Sequence, residues 1–429
     1  CAMNMRRTWL ACGVGIAFVA VAAAVVALNL LDEAPLPAHE VAEPATAEMI
    51  ARGKYLARAG NCMSCHTQQG GPAFAGGRAI DTPFGAIYAS NLTPDDATGI
   101  GRWSAGEFWR AMHNGRSRDG RLLYPAFPYP SYTHVTRADS DAIYAYLRSL
   151  PPVEQQGRPH ALPFPFNTQL ALAAWRALFF RPGSLLEQPG QSAQWNRGAY
   201  LVLGLGHCAA CHTPRNALGA PRADAAFRGG LISVQNWYAP ALNSEREAAV
   251  TAWPVEDVVA LLKTGVSPQA GVSGPMAEVV FRSLQHLSDA DLRAMTAYLR
   301  SLPMQDKPEA PSARPAGIVM EQGRSIYQQQ CVQCHGEQGE GKGGALPALA
   351  ANRAVMLADT TNMVRVVLQG GYLPATVGNP RPHGMPPFVQ SLTDGEVAAV
   401  LSYIRNAWGN AAAKVDTIDV YRVRERRGS

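Results

Sequence analysis

Apolar residues form one long uninterrupted run near the start of the chain, covering residues 8–31 without a charged residue among its 24 positions. A run of that length is enough for one helix to cross a bilayer. An Arg-Arg pair precedes the run and an Asp-Glu pair follows it. Because basic residues stay on the cytoplasmic side, the pattern predicts a transmembrane anchor with the rest of the chain on the opposite side. A cleaved signal peptide is the alternative, but its apolar core is shorter, about 7 to 15 residues.

Later in the chain, one helical pattern of apolar and polar positions occurs three times. The segments are TRADSDAIYAYLRSLPP, LSDADLRAMTAYLRSLP and LTDGEVAAVLSYIRNAW. Each begins with Ser, Thr or Asp as a helix cap and places a tyrosine on its apolar face, Tyr146, Tyr298 or Tyr403. A second pattern lies upstream in each case, a dipeptide Arg-Gly or Gln-Gly followed by a tyrosine in a helical stretch. One unit is therefore repeated three times.

The repeats predict three domains joined by Pro-rich linkers. The domains expected are 47–155, 190–305 and 317–410, the linkers 156–189 and 306–316, and a basic tail 411–429. The first linker contains TQLALAAWRALFF, an apolar helical stretch too short to span a membrane. We expect it to pack against the chain's own domains, with the lipid headgroup layer or a partner protein as alternatives. The arginine-rich tail is expected to be solvated or to contact a partner.

Composition and charge narrow the function classes. Charged residues make up 17% of the 429 positions, and 40 Gly and 32 Pro indicate many loops, which excludes a coiled coil or a disordered chain. The net charge of +5 is small and no lysine-rich run occurs, so nothing favours nucleic-acid binding. The sequence also has no Gly-rich dinucleotide fingerprint, P-loop or nucleophile elbow. No substrate-oxidising site is therefore expected on this chain.

Six of the eight cysteines fall into three CxxC pairs, each followed directly by histidine. The motifs are Cys62, Cys65 and His66, then Cys208, Cys211 and His212, then Cys331, Cys334 and His335. In CxxCH the thiols form thioether bonds to haem and the histidine binds its iron. Zinc would require further ligands for each pair, and a thiol redox motif requires no histidine. The sequence therefore predicts three covalently bound haem c groups with these histidines as proximal iron ligands.

A six-coordinate haem needs a distal ligand, and methionine is the usual one in electron-transfer proteins. We expect it in the loop before the last helix of each repeat. Met276 in GPMAEVV and Met385 in HGMPPF occupy that loop in the second and third repeats. Filling of the core is the alternative role for either methionine.

The first repeat departs from this pattern. Its loop reads YPAFPYPSY and has Phe127 where the other repeats have methionine. Because phenylalanine cannot bind iron, either the first haem is five-coordinate or His113 or Met112, at the end of the helix RWSAGEFWRAMHNG, supplies a distal ligand.

Several segments together resemble a known family. RGAYLVLGLGHCAACHTPRNALGA, WYAPALNS, GPMAEVV and MPPFVQSLTDGEVAAVLSYIRNAWGN are similar to the triple-haem cytochrome c subunits of bacterial membrane-bound dehydrogenases, over about residues 47–410. The resemblance implies a mainly α fold with three tandem class I cytochrome c domains after the transmembrane helix. In that family the first loop usually reads YPAMPY, so Phe127 makes the first haem atypical.

The resemblance also implies a function. Such subunits accompany quinoprotein alcohol, flavin-dependent sugar, or molybdenum-containing aldehyde or N-heterocycle dehydrogenases, and the long anchor and Phe127 favour the molybdenum type. The haem domains would lie in the periplasm at the bacterial inner membrane and relay single electrons from the dehydrogenase subunit to ubiquinone or a downstream cytochrome. Two alternatives remain: a free-standing electron shuttle, and a haem enzyme of peroxidase type that uses an open first haem.

Overall fold

The computed structural model describes residues 2–33, 45–232, 234–305, 315–342 and 346–425. Helices predominate, which confirms the expected mainly α fold. They are α1 (Ala2–Asn29), α2 (Ala47–Ala59), α3 (Cys62–Cys65), α4 (Ala105–Asn114), α5 (Tyr129–Tyr132), α6 (Arg137–Arg148), α7 (Gln169–Phe179), α8 (Ala193–Ala199), α9 (Ala209–His212), α10 (Val255–Thr264), α11 (Gly274–Arg282), α12 (Asp289–Arg300), α13 (Gly317–Gln330), α14 (Val332–His335), α15 (Arg353–Met356), α16 (Thr361–Gln369), α17 (Asp394–Ile404) and α18 (Thr417–Glu425). A π-helical turn, Tyr200–Leu205, continues α8.

Among the residues that the structure describes, the strands are short and form three separate antiparallel hairpins. They are β1 (Ala79–Thr82) with β2 (Gly85–Tyr88), β3 (Gly230–Ile232) with β4 (Trp237–Ala239), and β5 (Gly371–Tyr372) with β6 (Gly384–Met385).

The chain forms two compact units, one of residues 1–54 and 66–186 and one of 55–65 and 187–429. The division falls within the first predicted domain, inside α2 and again after α3. Most of the predicted linker 306–316 lies outside the described residues, and so does the end of the tail.

In each repeat, the helix before CxxC crosses the last helix of the repeat at a glycine. These helix pairs are α2 and α6 at Gly53, α8 and α12 at Gly198, and α13 and α17 at Gly323. The facing backbone carbonyls belong to Ala142, Ala294 and Ala399. A Cβ atom at any of the three glycines would overlap the carbonyl opposite it. The glycine of each Arg-Gly or Gln-Gly dipeptide is therefore what lets the two helix backbones touch.

Polar caps and ion pairs fix the same helix pairs. The side chains of Thr136, Ser288 and Thr393 accept hydrogen bonds from the first turns of α6, α12 and α17, which confirms the caps expected from the sequence. In the first two repeats the arginine of the dipeptide also binds a carboxylate of the last helix. Arg52 Nε donates to Asp139 Oδ1 at 2.9 Å and Arg197 Nε donates to Asp291 Oδ1 at 2.8 Å.

Helices α1 and α7 meet in the first unit. Of the positions in the segment Cys12–Asn29, 6% are buried. This segment belongs to the one helix, among the described residues, that is long and apolar enough to cross a membrane. Its end is fixed by Asn29, whose Nδ2 donates to the Ala173 carbonyl at 3.0 Å and whose Oδ1 accepts from Arg176 Nε at 2.9 Å. The apolar stretch of the first linker therefore packs against the chain itself, as expected.

The tail does not follow the expectation of a solvated segment. Its helix α18 packs on α16 and α17, and Val420 and Val423 are buried in the core of the third repeat. Arg424 donates to the Leu392 carbonyl at 2.9 Å and pairs with Asp394. The expectation failed because two valines three positions apart form an apolar face between the arginines.

The glycine crossing can be tested with Gly323→Ala. Because the new methyl group would overlap the Ala399 carbonyl, we expect the free energy of unfolding to fall by about 1–3 kcal/mol, measured by guanidinium denaturation. Gly317→Ala in the same helix is the matched control, since nothing lies within 4 Å of its Cβ position and helix propensity favours alanine. Equal stability of the two variants would contradict the crossing.

Candidate haem sites

Each CxxC pair lies on a single helical turn. Cys62 and Cys65 begin and end α3, while Cys208 and Cys331 directly precede α9 and α14, which end at the motif histidines. Residues three positions apart on a helix lie on one face. The two thiols of each pair can therefore reach one flat group from the same side.

Each of the three motif histidines makes the same kind of hydrogen bond. Their Nδ1 atoms lie 2.7, 2.7 and 3.0 Å from the backbone carbonyls of Ser90, Pro240 and Pro347, respectively. Because a carbonyl oxygen only accepts, Nδ1 carries the proton and Nε2 keeps its lone pair. A backbone acceptor on the far nitrogen is the usual means of fixing a metal-binding imidazole. All three rings are thus oriented to bind a metal through Nε2.

Burial controls the protonation of these groups. It raises the pKa of Cys62 and Cys208 to about 12 and that of Cys331 to about 11. Zinc binding and thiol redox chemistry both require an accessible thiolate, which a raised pKa disfavours. Burial also lowers the pKa of the three motif histidines, so they are neutral and able to bind metal. Among the described residues, no cluster of three or more His, Cys, Asp or Glu side chains could hold a metal ion by itself. These groups fit covalent haem better than zinc.

Met276 lies in the first turn of α11, beside the strand that supports His212. The ring of Trp237 in β4 is 2.5 Å from the position that a Cβ on Gly274 would take. Pro240, whose carbonyl accepts from His212, follows β4 directly. Met276 therefore lies in a short helix, not in the loop expected from the sequence, and this helix packs on the strand that leads to the Pro240 carbonyl.

Met385 has a comparable place in the third repeat. It ends β6, pairs with Gly371 of β5, and packs on the buried core that includes Tyr327 and Leu401. Its side chain is partly buried, as expected for a residue at the edge of a cofactor site.

The first repeat offers different groups. The ring of Phe127 lies 5.3 Å from the ring of Tyr132, between centroids, and adds no donor atom. His113 is buried, with Nε2 3.1 Å from Asp32 Oδ2 and Nδ1 3.5 Å from Thr133 Oγ1. The ring of Trp109 stacks on the His113 ring, with 4.4 Å between the ring centroids.

Met112 is also buried. Its sulfur accepts a hydrogen bond from Ser140 Oγ at 3.8 Å. The two alternative ligand candidates of the first repeat are thus both engaged with other side chains.

The carbonyls that support the histidines are not apparent from the sequence, because backbone atoms have no residue signature of their own. A weak signal exists. Pro240 and Pro347 each begin the tripeptide Pro-Ala-Leu, and Ser90 begins Ser-Asn-Leu at the corresponding place. A search for a leucine two residues after a proline, downstream of CxxCH, would have found two of the three.

Comparison with known proteins gives a family. Residues 50–151, 197–303 and 320–408 match the cytochrome c family model. The chain is 44% identical over 382 residues to a nicotinate dehydrogenase subunit of Pseudomonas putida, covering 86% of this chain but 32% of that protein. It is 38% identical over 396 residues to the gluconate 2-dehydrogenase cytochrome c subunit of Pantoea cypripedii, covering 88% of this chain and 90% of that protein.

A third relative is the cytochrome c subunit of alcohol dehydrogenase (quinone) from Gluconacetobacter polyoxogenes. It is 36% identical over 398 residues, covering 89% of this chain and 85% of that protein. Covalent haem c is the cofactor that the family and the CxxCH turns have in common. The chain therefore belongs to the cytochrome c family and is related to the cytochrome c subunits of bacterial dehydrogenases.

Proposed function

We propose that the chain is a triple-haem electron-relay subunit of a membrane-bound dehydrogenase. The observation that carries this proposal is the same Nδ1-to-carbonyl hydrogen bond behind the histidine of each CxxCH turn. Cys62 and Cys65, Cys208 and Cys211, and Cys331 and Cys334 would hold the haems, with His66, His212 and His335 on iron. When bound, c-type haem supplies reversible one-electron chemistry.

Met276 and Met385 are our proposed distal ligands for the second and third irons. For the first iron we propose an open distal position at Phe127. To bind iron, His113 would have to give up Asp32 at Nε2 or Thr133 at Nδ1, and the Met112 sulfur already accepts from the Ser140 hydroxyl. Those contacts favour the open site over either alternative ligand.

The names of the relatives support a dehydrogenase partner. Among the three relatives described, the one from nicotinate dehydrogenase has the highest identity, 44% against 38% and 36%. Nicotinate is an N-heterocycle, so this favours a partner of the molybdenum aldehyde or N-heterocycle type over alcohol or sugar dehydrogenases.

The proposed location is the bacterial inner membrane, with the haem domains in the periplasm. The apolar, exposed helix α1 supports an anchor, and Arg6 and Arg7 before its apolar part favour a cytoplasmic N-terminal side. Ubiquinone or a downstream cytochrome is the proposed electron acceptor.

The dehydrogenase-subunit proposal predicts a stable complex. When the chain is solubilised in detergent and purified under mild conditions, we expect a substrate-oxidising subunit to co-purify and to reduce the haems on addition of its substrate. Metal analysis and cofactor extraction would identify molybdenum, flavin or quinone. A chain that runs alone with no such subunit would instead support a free-standing shuttle.

The distal ligand of the second haem can be tested with Met276→Ala. Thioether ligation raises the reduction potential of haem iron, so we expect one of three potentials to fall. Spectroelectrochemical titration measures this. Met304→Ala is the control, because Met304 belongs to the same repeat and its side chain is 40% exposed. Unchanged potentials in the Met276 variant would remove Met276 as a ligand.

Carbon monoxide tests the first haem. We expect prompt binding to one haem of the reduced protein, and loss of that binding in Phe127→Met, which supplies the missing thioether. His113→Ala should bind carbon monoxide as the unaltered protein does. An unaltered protein that binds none, together with a His113 variant that binds it, would show that His113 is the ligand.

The same open position supports a second candidate function, a haem enzyme of peroxidase type, because Phe127 leaves the iron without a sixth ligand from its loop. The two functions differ in turnover. Peroxide-dependent oxidation of a dye by the isolated chain, abolished by Phe127→Met, would favour the enzyme over the relay.

A further inference from the structure

The haem-attachment turn of the first repeat packs directly on the second repeat. Within the unit that contains residues 55–65 and 187–429, Ser283 Oγ donates to the Ala59 carbonyl at 3.3 Å. Arg282, the last residue of the helix that carries Met276, places Nη1 3.7 Å from Met63 Sδ, and Met63 lies between the two cysteines of α3. The first CxxC turn is thus in contact with the helix that bears the proposed distal ligand of the second haem.

A second contact connects α2 with the start of α12. Tyr55 Oη donates to Asp291 Oδ2 at 2.6 Å and accepts from the Ser288 backbone N–H at 3.1 Å. Asp291 is the same carboxylate that binds Arg197 in the helix pair of the second repeat. The carboxylate of the ion pair that holds the second repeat together therefore also binds Tyr55 of α2.

His207 lies at the centre of this contact. It directly precedes Cys208, and its ring donates to the backbone carbonyl of Gly60, two residues before Cys62. A Cβ atom on Gly60 would lie 3.4 Å from Cys62 Sγ and 3.6 Å from Leu205 Cδ2, so the backbone just before Cys62 lies close to the π-helical turn just before His207. The path from Cys62 to Cys208 therefore consists of three peptide units and the hydrogen bond between the His207 ring and Gly60.

The backbone at this contact has an uncommon conformation. His207 has φ of 39° and Asn61, at the equivalent position of the first repeat, has φ of 52°. A left-handed conformation is unfavourable for a non-glycine residue, so surrounding contacts must hold it. Gln330, the equivalent residue of the third repeat, ends α13 and is exposed. The two left-handed residues occur in the two repeats whose attachment turns meet.

We propose that His207 is a positioning residue that holds the attachment turns of the first and second haems together and so sets the rate of electron transfer between them. The transfer moves one electron from a reduced iron to an oxidised one, with no bond made or broken and no proton transferred. This inference rests on the proposed function only for the presence of haem at both turns.

The test uses the full-length, haem-loaded chain in detergent, reduced by a flash-activated photoreductant with no dehydrogenase present. In His207→Gly, which keeps the left-handed backbone and removes the ring, we expect internal electron redistribution to slow about tenfold, at the lower end of the effects seen for outer-shell hydrogen bonds at metal sites. His207→Asn should restore much of the rate, because asparagine tolerates this conformation and its amide can donate to Gly60. Magnetic coupling between the two oxidised haems, measured by electron paramagnetic resonance, should weaken in the glycine variant and recover in the asparagine variant.

Gln330→Gly is the matched control, since it removes the equivalent side chain beside Cys331, and we expect the rate and coupling to be unchanged. The proposal is overturned if His207→Gly with three haems bound keeps the original rate, or if Gln330→Gly slows it equally. Should His207→Gly fail to mature, His207→Asp tests the same bond, because aspartate tolerates the left-handed conformation but its carboxylate cannot donate to the Gly60 carbonyl, and an unchanged rate there also overturns the proposal. Because no dehydrogenase is involved, the outcome is independent of whether one co-purifies.

Discussion

The structure of every repeat depends on the close crossing of its first and last helices at a glycine. At Gly53, Gly198 and Gly323, the absence of a side chain lets one helix backbone rest on a carbonyl of the other. In the second and third repeats, this contact joins the helix that leads to the CxxC turn to the helix that follows the proposed distal segment. A haem site needs both, because one supplies the thioethers and proximal ligand and the other supplies the distal side. The crossing would therefore help to position a bound haem although none of its atoms need touch the cofactor.

The second constraint is the carbonyl behind each histidine. Many residue types can occupy the position that supplies this carbonyl, since Ser90, Pro240 and Pro347 all provide the same backbone acceptor. What matters is the chain path that brings the carbonyl to Nδ1. In the second repeat that path is β4, which also places Trp237 against Gly274, at the start of the helix that carries Met276. The proximal and distal sides are thus connected through a short strand as well as through the helix crossing.

Sequence reasoning succeeded where the chemistry is local. The CxxCH turns, the helix caps and the apolar helix α1 are each determined by neighbouring residues, and the structure contains these features where the sequence indicated them. It failed where an interaction depends on residues far apart in sequence. The tail was expected in solvent from its arginines, yet Val420 and Val423 find an apolar surface only once α16 and α17 have assembled. The ring of His207 likewise acquires its partner, Gly60, only when two repeats meet.

The comparison between the first and second repeats shows which features the fold requires. Both have the crossing glycine, the Arg-Asp pair on the last helix, and a left-handed residue before the first cysteine. They differ at the proposed distal position, where the second has Met276 and the first has Phe127. Phe127 packs among tyrosines that are themselves buried, so the loop keeps its shape without a bond to iron. Since the scaffold is held by helix and backbone contacts, the distal ligand can change without loss of the fold. The axial ligand of one repeat can therefore change independently of the other two. Because axial ligand identity is one of the factors that set a haem potential, the potential of one haem can then be adjusted by itself.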